Sequence, residues 1–337
     1  MTSKELVIRT LEFRNTDGRV PRDLWTLPWA TDRYPDTMAR LNREYPGDFL
    51  TAQAELKQPL ISSGDPYAIG ESIDEWGCRF KNINPGAIGE VKSPLVQDDD
   101  WADADHVHIP SELLTFDIGQ VNRWCADHSD HFLLSPCLAR PFERLQFIRT
   151  TENLYIDLVD PPKGMLDFME KLHDHYCRLF RQWAQTDVDA LMFMDDWGSQ
   201  NDLLISPAMW DAYFRPMYQD YIDIAHKHGK KIFMHSDGHT LRIIPKLIDM
   251  GLDAMNAQLF CMGIDKLRPF RGKITFWGEI DRQHLLPYAA PGQIDSAVQS
   301  VFDTLWQDGG CIAQCEFGPG GRPENVIRVY EKWNSLR

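Results

Sequence analysis

At 337 residues with 43% hydrophobic content, the chain has ample material for a core, which excludes disordered and fibrous classes. A formal charge of −15 argues against a nucleic-acid partner, because phosphate binding needs a basic patch that displaces counterions. No apolar run approaches the roughly 20 residues of a membrane span. Nor does 1–15 show an apolar stretch or a small-residue cleavage site, so a cytoplasmic location is the expectation.

Seven scattered cysteines without a Cys-x-x-Cys pair fit buried thiols in a reducing compartment. Along the chain, 24–27 and 132–138 have the makings of strands. Between them, 50–110 loses helical periodicity and is rich in Gly, Pro, Asp and Trp. Asn84-Pro85-Gly86 reads as a turn there, with 67–81 and 87–92 pairing as a hairpin excursion, and long insertions of this kind are often lids or binding loops.

From 164–186 the spacing of Leu166, Phe168, Met169, Leu172, Tyr176, Leu179 and Phe180 predicts a helix. Short apolar runs at 190–194, 231–234, 253–258, 274–278 and 311–315 predict strands. Helices are expected between them: from Pro207, with Ser206 as N-cap, to about His228, at 240–250, at 291–307, and from Pro323 onward. Strand alternating with helix implies parallel strands joined by right-handed crossovers. The expected fold is α/β, a single (β/α)8 TIM barrel over 1–337 with the 50–110 insertion over its mouth. A doubly wound sheet is the alternative, but no Gly-x-Gly-x-x-Gly follows an early strand.

Two of these strands stop in reactive clusters. In His235-Ser236-Asp237-Gly238, residues one apart on an extended strand share a face, so His235 and Asp237 can reach one ion. Cys315, at the end of a later strand, would share the same mouth, and three protein ligands leave a position open for substrate. The plainer arrangement has His235 and Asp237 bonding each other, with Cys315 a core thiol. Asp195-Asp196-Trp197 offers two adjacent carboxylates, of which one faces the cavity, to stay ionised near a cation or act as an acid in an apolar pocket; the plainer alternative is a helix cap or a loop hydrogen bond. Glu279 in Trp277-Gly278-Glu279 is a ligand, an acid/base or a helix cap, and Glu316 shares that ambiguity. Gln200 is a turn residue or a substrate donor. Trp25, Trp29, Trp76 and Trp197 could line a pocket or pack the core. Arg33, Arg140, Arg268 and Arg271 could converge on an anionic substrate.

Taken in order, Asp195-Asp196-Trp197, Ile205-Ser206-Pro207, Trp210, Phe214, Pro216, His235-x-Asp237-Gly238, Ile244-Pro245, Gly251-x-Asp253, Trp277-Gly278-Glu279, Gly318-Pro319 and Pro323-Glu324-Asn325-Val326 resemble the uroporphyrinogen decarboxylase superfamily. The resemblance covers about 160–337 and implies a (β/α)8 barrel. Its decarboxylases use no cofactor, and Asp195 matches their strand-end Asp. Their N-terminal Arg-Gln-Ala-Gly-Arg-Tyr survives here only as Arg33-Tyr34 within 29–34, and Phe317-Gly318-Pro319 stands where they carry Gly-His-Gly. The superfamily's zinc methyltransferases move methyl groups between a corrinoid protein and a thiol or similar acceptor, holding zinc with His-x-Cys and a later Cys. His235 and Cys315 match the first and last ligands, and Asp237 replaces the middle one, a harder donor that could weaken zinc, favour another divalent ion or signal different chemistry.

The expectation is therefore metal-dependent methyl transfer on a small-molecule substrate by a monomer or homodimer, with the corrinoid supplied by a partner protein. His235, Asp237 and Cys315 would hold zinc or another divalent ion. Asp195, Asp196 and Glu279 would be catalytic, and Trp29, Arg33, Tyr34, Glu75, Trp197, Gln200 and Gln258 would bind substrate. A cofactor-free decarboxylase is the alternative, with Arg33 and Asp195 binding a carboxylated substrate. A glycosidase-type barrel and a non-catalytic docking subunit follow. Converging arginines would favour the decarboxylase; converging carboxylates around His235, the metal enzyme.

Overall fold

The computed structural model describes residues 1–57 and 59–336. In chain order its strands are β1 (Trp25–Thr26), β2 (Phe49–Thr51), β3 (Gly70–Ile73), β4 (Arg79–Asn82), β5 (Glu90–Val91), β6 (Phe132–Cys137), β7 (Ala190–Met194), β8 (Lys231–Ser236), β9 (Ala254–Ala257), β10 (Thr275–Trp277), β11 (Cys311–Ile312) and β12 (Glu316–Phe317). One parallel sheet runs β11-β10-β9-β8-β7-β6-β2. Beyond β11 the chain bridges from Ala313 to Arg22, and β12 pairs with β1. Asp48 N donates to Arg22 O at 2.8 Å, so the β1 stretch also meets β2. The sheet closes on itself as a (β/α)8 barrel.

Alternation along each strand sorts side chains into two layers. Phe49, Phe132, Leu134, Met192, Phe233, Trp277 and Ile312 fill the barrel interior. Leu133, Leu191, Phe193, Ile232, Met234, Cys311, Ala313 and Cys315 face the helices. Both faces are buried, which is why these strands read as unbroken apolar runs. Each large side chain so buried contributes about 1.5–3 kcal/mol. The helix Ser3–Leu11, closed by a Thr2/Glu5 capping box, adds Val7 and Leu11 to the inner cluster.

Helices lie where the spacing places them, with one difference. The segment from Pro207 forms two helices, Pro207–Tyr213 and Arg215–Lys227, because Pro216 has no N–H to give the carbonyl of Ala212. Ser206 does cap the first, its hydroxyl accepting from Met209 N at 3.1 Å. In the insertion, β3, β4 and β5 form an antiparallel sheet. It is held by Arg144, which lies 5.1 Å over the buried Trp76 ring and pairs with Asp74 and Glu75. Arg144 belongs to the helix that follows β6, so the insertion is docked at the C-terminal end of the barrel.

Candidate active site

Because Phe233 points inward, so does His235, and the next residue of that parity is Asp237. His235 Nδ1 lies 2.6 Å from Asn256 Oδ1, while Asn256 Nδ2 donates to Trp277 O at 2.5 Å. That second bond orients the amide, so Nδ1 carries a proton donated to Asn256 and Nε2 faces the mouth. Nε2 lies 3.5 Å from Asp196 Oδ1 and 3.6 Å from Asp237 Oδ1. Asp237 Oδ1 is buried without a hydrogen-bond partner. Two donors bound about 2.1 Å from one tetrahedral ion stand about 3.4 Å apart, so Asp196, His235 and Asp237 fit a divalent cation. An imidazole with two carboxylates is a hard-to-borderline donor set.

Around this group lies a ring of acids joined by Arg282. Its guanidinium pairs with Asp237, lies 2.5 Å from Glu316 Oε2, and is 3.2 Å from Glu279 Oε1. The last approach is too oblique for a hydrogen bond, and both Glu279 oxygens remain buried without a donor. Burial pushes the Glu279 pKa well up, against the pull of Arg282. The buried Gln314 amide beside it also has no partner. Within the barrel, a chamber of about 430 Å³ is lined by Asp23, Trp25, Met192, Met194, Trp277 and Glu316. The Trp25 ring packs 5.1 Å from that of His235. Asp23 Oδ2 accepts from the indole N–H of Trp25 at 3.0 Å and of Trp277 at 2.9 Å. Burial raises its pKa to about 6 despite these donors.

A cleft of about 1180 Å³ opens between the insertion sheet and the helix Pro141–Arg149, with Ile73, Phe80, Phe147, Arg140 and Glu143 among its walls. Glu143 connects it to the mouth. Its pKa is pushed up to about 7, by burial first and by Asp196 in addition, while Arg140 and His235 pull it down. Glu143 Oε2 is buried and unpartnered.

Several expected site residues stand elsewhere. Asp195 has the outward parity: Oδ2 accepts from Phe142 N at 3.0 Å and from Tyr218 OH at 2.6 Å, and Oδ1 from Glu143 N at 2.9 Å. It caps the helix after β6, and Asp196 is the member of the pair that faces the mouth. Cys315 also points outward, fully buried with its thiol 3.8 Å from Tyr330 OH, and is not brought together with His235 and Asp237. Trp197 is buried too, stacked 4.1 Å from Phe142 and donating to Tyr218 OH, and so packs the wall. Gln258 Oε1 accepts from Gly238 N at 3.1 Å, which positions the His235–Gly238 loop, and Gln200 bonds Gln283. Both line a small pocket of about 180 Å³ with Glu279. Glu75 holds Arg144 and edges the large cleft. Arg33 lies over Trp29, and Tyr34 stacks on Phe317. The four arginines do not converge: Arg140 lines the cleft, Arg268 bonds Asp265, and Arg271 precedes β10 at the far end of the barrel. Asp23, Glu143, Asn256 and Arg282 escaped the sequence reading. Asn256 carries the one usable signal, a lone polar residue inside an apolar strand.

Comparison with known proteins agrees with this architecture. A methyltransferase from Methanosarcina mazei superposes with a TM-score of 0.68 at 12% identity, covering 100% of this chain and 99% of that one. An endo-β-1,4-xylanase from Gloeophyllum trabeum gives a looser likeness, TM-score 0.48 at 11% identity over 96% and 98% of the two chains. No curated protein matches the sequence. Among the described residues no helix is long and apolar enough to cross a membrane. The family model for uroporphyrinogen decarboxylase (URO-D) matches residues 82–335, a span holding every barrel strand except the β1 and β2 region. With that match and a barrel closed around His235, the chain is an enzyme of the URO-D superfamily and belongs to the uroporphyrinogen decarboxylase family.

Proposed function

We propose that this enzyme transfers a methyl group to a thiol or similar acceptor, using a divalent ion held by Asp196, His235 and Asp237. The observation that carries the reading is the convergence of these three side chains on one point, with Asp237 Oδ1 buried and unpartnered 3.6 Å from Nε2 of His235. Carboxylates outnumber arginines around that point, where Arg282 alone joins Asp237, Glu279 and Glu316, and Asp195, which the decarboxylase reading needs, is engaged as a helix cap. A methyltransferase of the same fold exists in Methanosarcina mazei.

A bound zinc-class ion supplies one thing, a lowered pKa for the acceptor thiol, so that a thiolate is present at neutral pH. The chain's own residues do the rest. Asn256 holds His235 in the tautomer whose Nε2 can donate its lone pair. Glu143, with a pKa near neutrality and a free buried oxygen, accepts the thiol proton. The acceptor sulfur then takes the methyl group as the donor's leaving atom keeps the bonding electron pair. Arg282 fixes Asp237 and Glu316 meanwhile, and Trp25 shields one side of His235 from water. A corrinoid-carrying partner protein is the methyl donor in this reading, presenting its cofactor at the open mouth.

The test measures metal by plasma mass spectrometry and follows methylcobalamin consumption with a thiol, in wild type, His235→Ala and Asp237→Asn. Expected is the loss of one metal equivalent in each folded variant, with methyl transfer lowered at least about 100-fold. Unchanged metal content in both variants, or transfer that persists after chelation, would overturn the proposal.

A further inference from the structure

Outside the barrel, the helices Lys163–Trp183 and Arg215–Lys227 pack side by side. His173 and Cys177 are four residues apart on the first and leave the same face. Asp220 meets them from the second. His173 Nε2 lies 2.8 Å from Asp220 Oδ2, and Cys177 Sγ lies 3.6 Å from that nitrogen. One donor atom from each residue falls within 4.8 Å of the others. The thiol is buried at the base, while Asp220, with a side chain 59% exposed, opens the group to solvent.

We propose that His173, Cys177 and Asp220 form a second divalent-metal site, of the zinc and cobalt class, that staples these two helices together. Sulfur and imidazole nitrogen bound at about 2.3 and 2.05 Å to one tetrahedral ion stand about 3.6 Å apart, which is the spacing already present. Cys177 Sγ also lies 3.7 Å from His173 Nδ1, so the ring must turn to aim Nε2 at the shared ion, and the His173–Asp220 pair must open by about half an ångström, with the exposed aspartate following. Tyr221 OH, 3.4 Å from His173 Nδ1, is placed to hold the ring through its other nitrogen. A thiolate and a carboxylate neutralise a divalent charge, and the soft sulfur selects against magnesium and calcium. Water completes the set. The staple has a mechanical consequence. One helix leads into β7 and the other into β8, the strands that deliver Asp196 and His235 to the mouth.

The full-length protein, loaded with cobalt(II), distinguishes this site from the barrel site, whose three donors include no sulfur. Expected is a thiolate-to-cobalt charge-transfer absorption in wild type and Cys315→Ser that disappears in Cys177→Ser. The exposed Asp220→Asn change should cost one of two zinc equivalents while His235→Ala costs the other. Absence of the band in wild type, its survival in Cys177→Ser, or its loss in Cys315→Ser would overturn the proposal. The last outcome would place the sulfur ligand in the barrel and leave the methyl-transfer reading standing.

Discussion

Side-chain parity decides what single residues do in this barrel. Asp195 and Asp196 are neighbours, yet one caps a helix from behind the wall and the other faces the mouth. The sequence could not tell them apart, because β7 is apolar on both faces and shows no alternation to set its phase. The same blindness applies to Cys315, whose strand end puts Gln314 and Glu316 inward and the thiol against Tyr330. Asp23 was invisible for another reason: its significance lies in two indoles, one of them far along the chain. Its folded pKa of about 6 exceeds the ordinary 3.8, so between these values the folded protein holds a proton that the unfolded chain releases. The stabilisation is therefore complete below about pH 4 and is lost as pH rises through 6. Asp23→Asn mimics the protonated form at every pH. Its urea midpoint should gain on wild type between about pH 4 and 6 and hold a constant lead above that; parallel curves would remove Asp23 as a titrating group.

At the scale of elements, the strand–helix rhythm was legible wherever the apolar runs reached four or five residues. β2, three residues long with only Phe49 and Leu50 apolar, was lost in the irregular stretch that follows it. Of the insertion's hairpin only the β4–β5 arm was legible, through its turn residues; that 67–81 folds back on itself as β3 and β4 was not, nor was its docking, which depends on Arg144 reaching back to Asp74 and Glu75. The two loops that carry the metal candidates touch at glycines. A Cβ on Gly198 would meet His239 N at 2.1 Å, and one on Gly238 would meet Gly198 O at 2.0 Å. Gly198 N also donates to Asp237 O at 3.0 Å, locking the end of β7 to that of β8. Gly198→Ala must therefore separate Asp196 from His235 and Asp237. Expected is a loss of about 1–3 kcal/mol in stability and at least a tenfold weaker metal affinity by competition with a chelator. Gly292→Ala, with no neighbour within 4 Å, is the inert comparison. Equal metal affinity in the two variants would show that loop contact does not set the site.

For the whole molecule, the acids that rim the mouth are held together by one cation. Arg282 joins Asp237 after β8, Glu279 after β10 and Glu316 on β12, drawing three separate loops of the barrel rim toward one point. The chain reading named Asp237 and Glu279 but had no means of pairing either with an arginine that only the closed barrel brings near. Removing that arginine leaves three carboxylates facing one another in a poorly solvated rim, which costs about 3–5 kcal/mol at neutral pH. The cost should shrink in acid, as the carboxyls take up protons, and should shrink equally when a divalent ion replaces the lost charge. Arg282→Met is thus expected to melt lower than wild type and to gain more degrees from added zinc or manganese than wild type does. If the ion instead depended on Arg282 to preset Asp237, the variant would show the smaller gain. Melting curves with and without metal, at pH 5 and pH 7.5, separate an arginine that substitutes for the cation from one that prepares its seat.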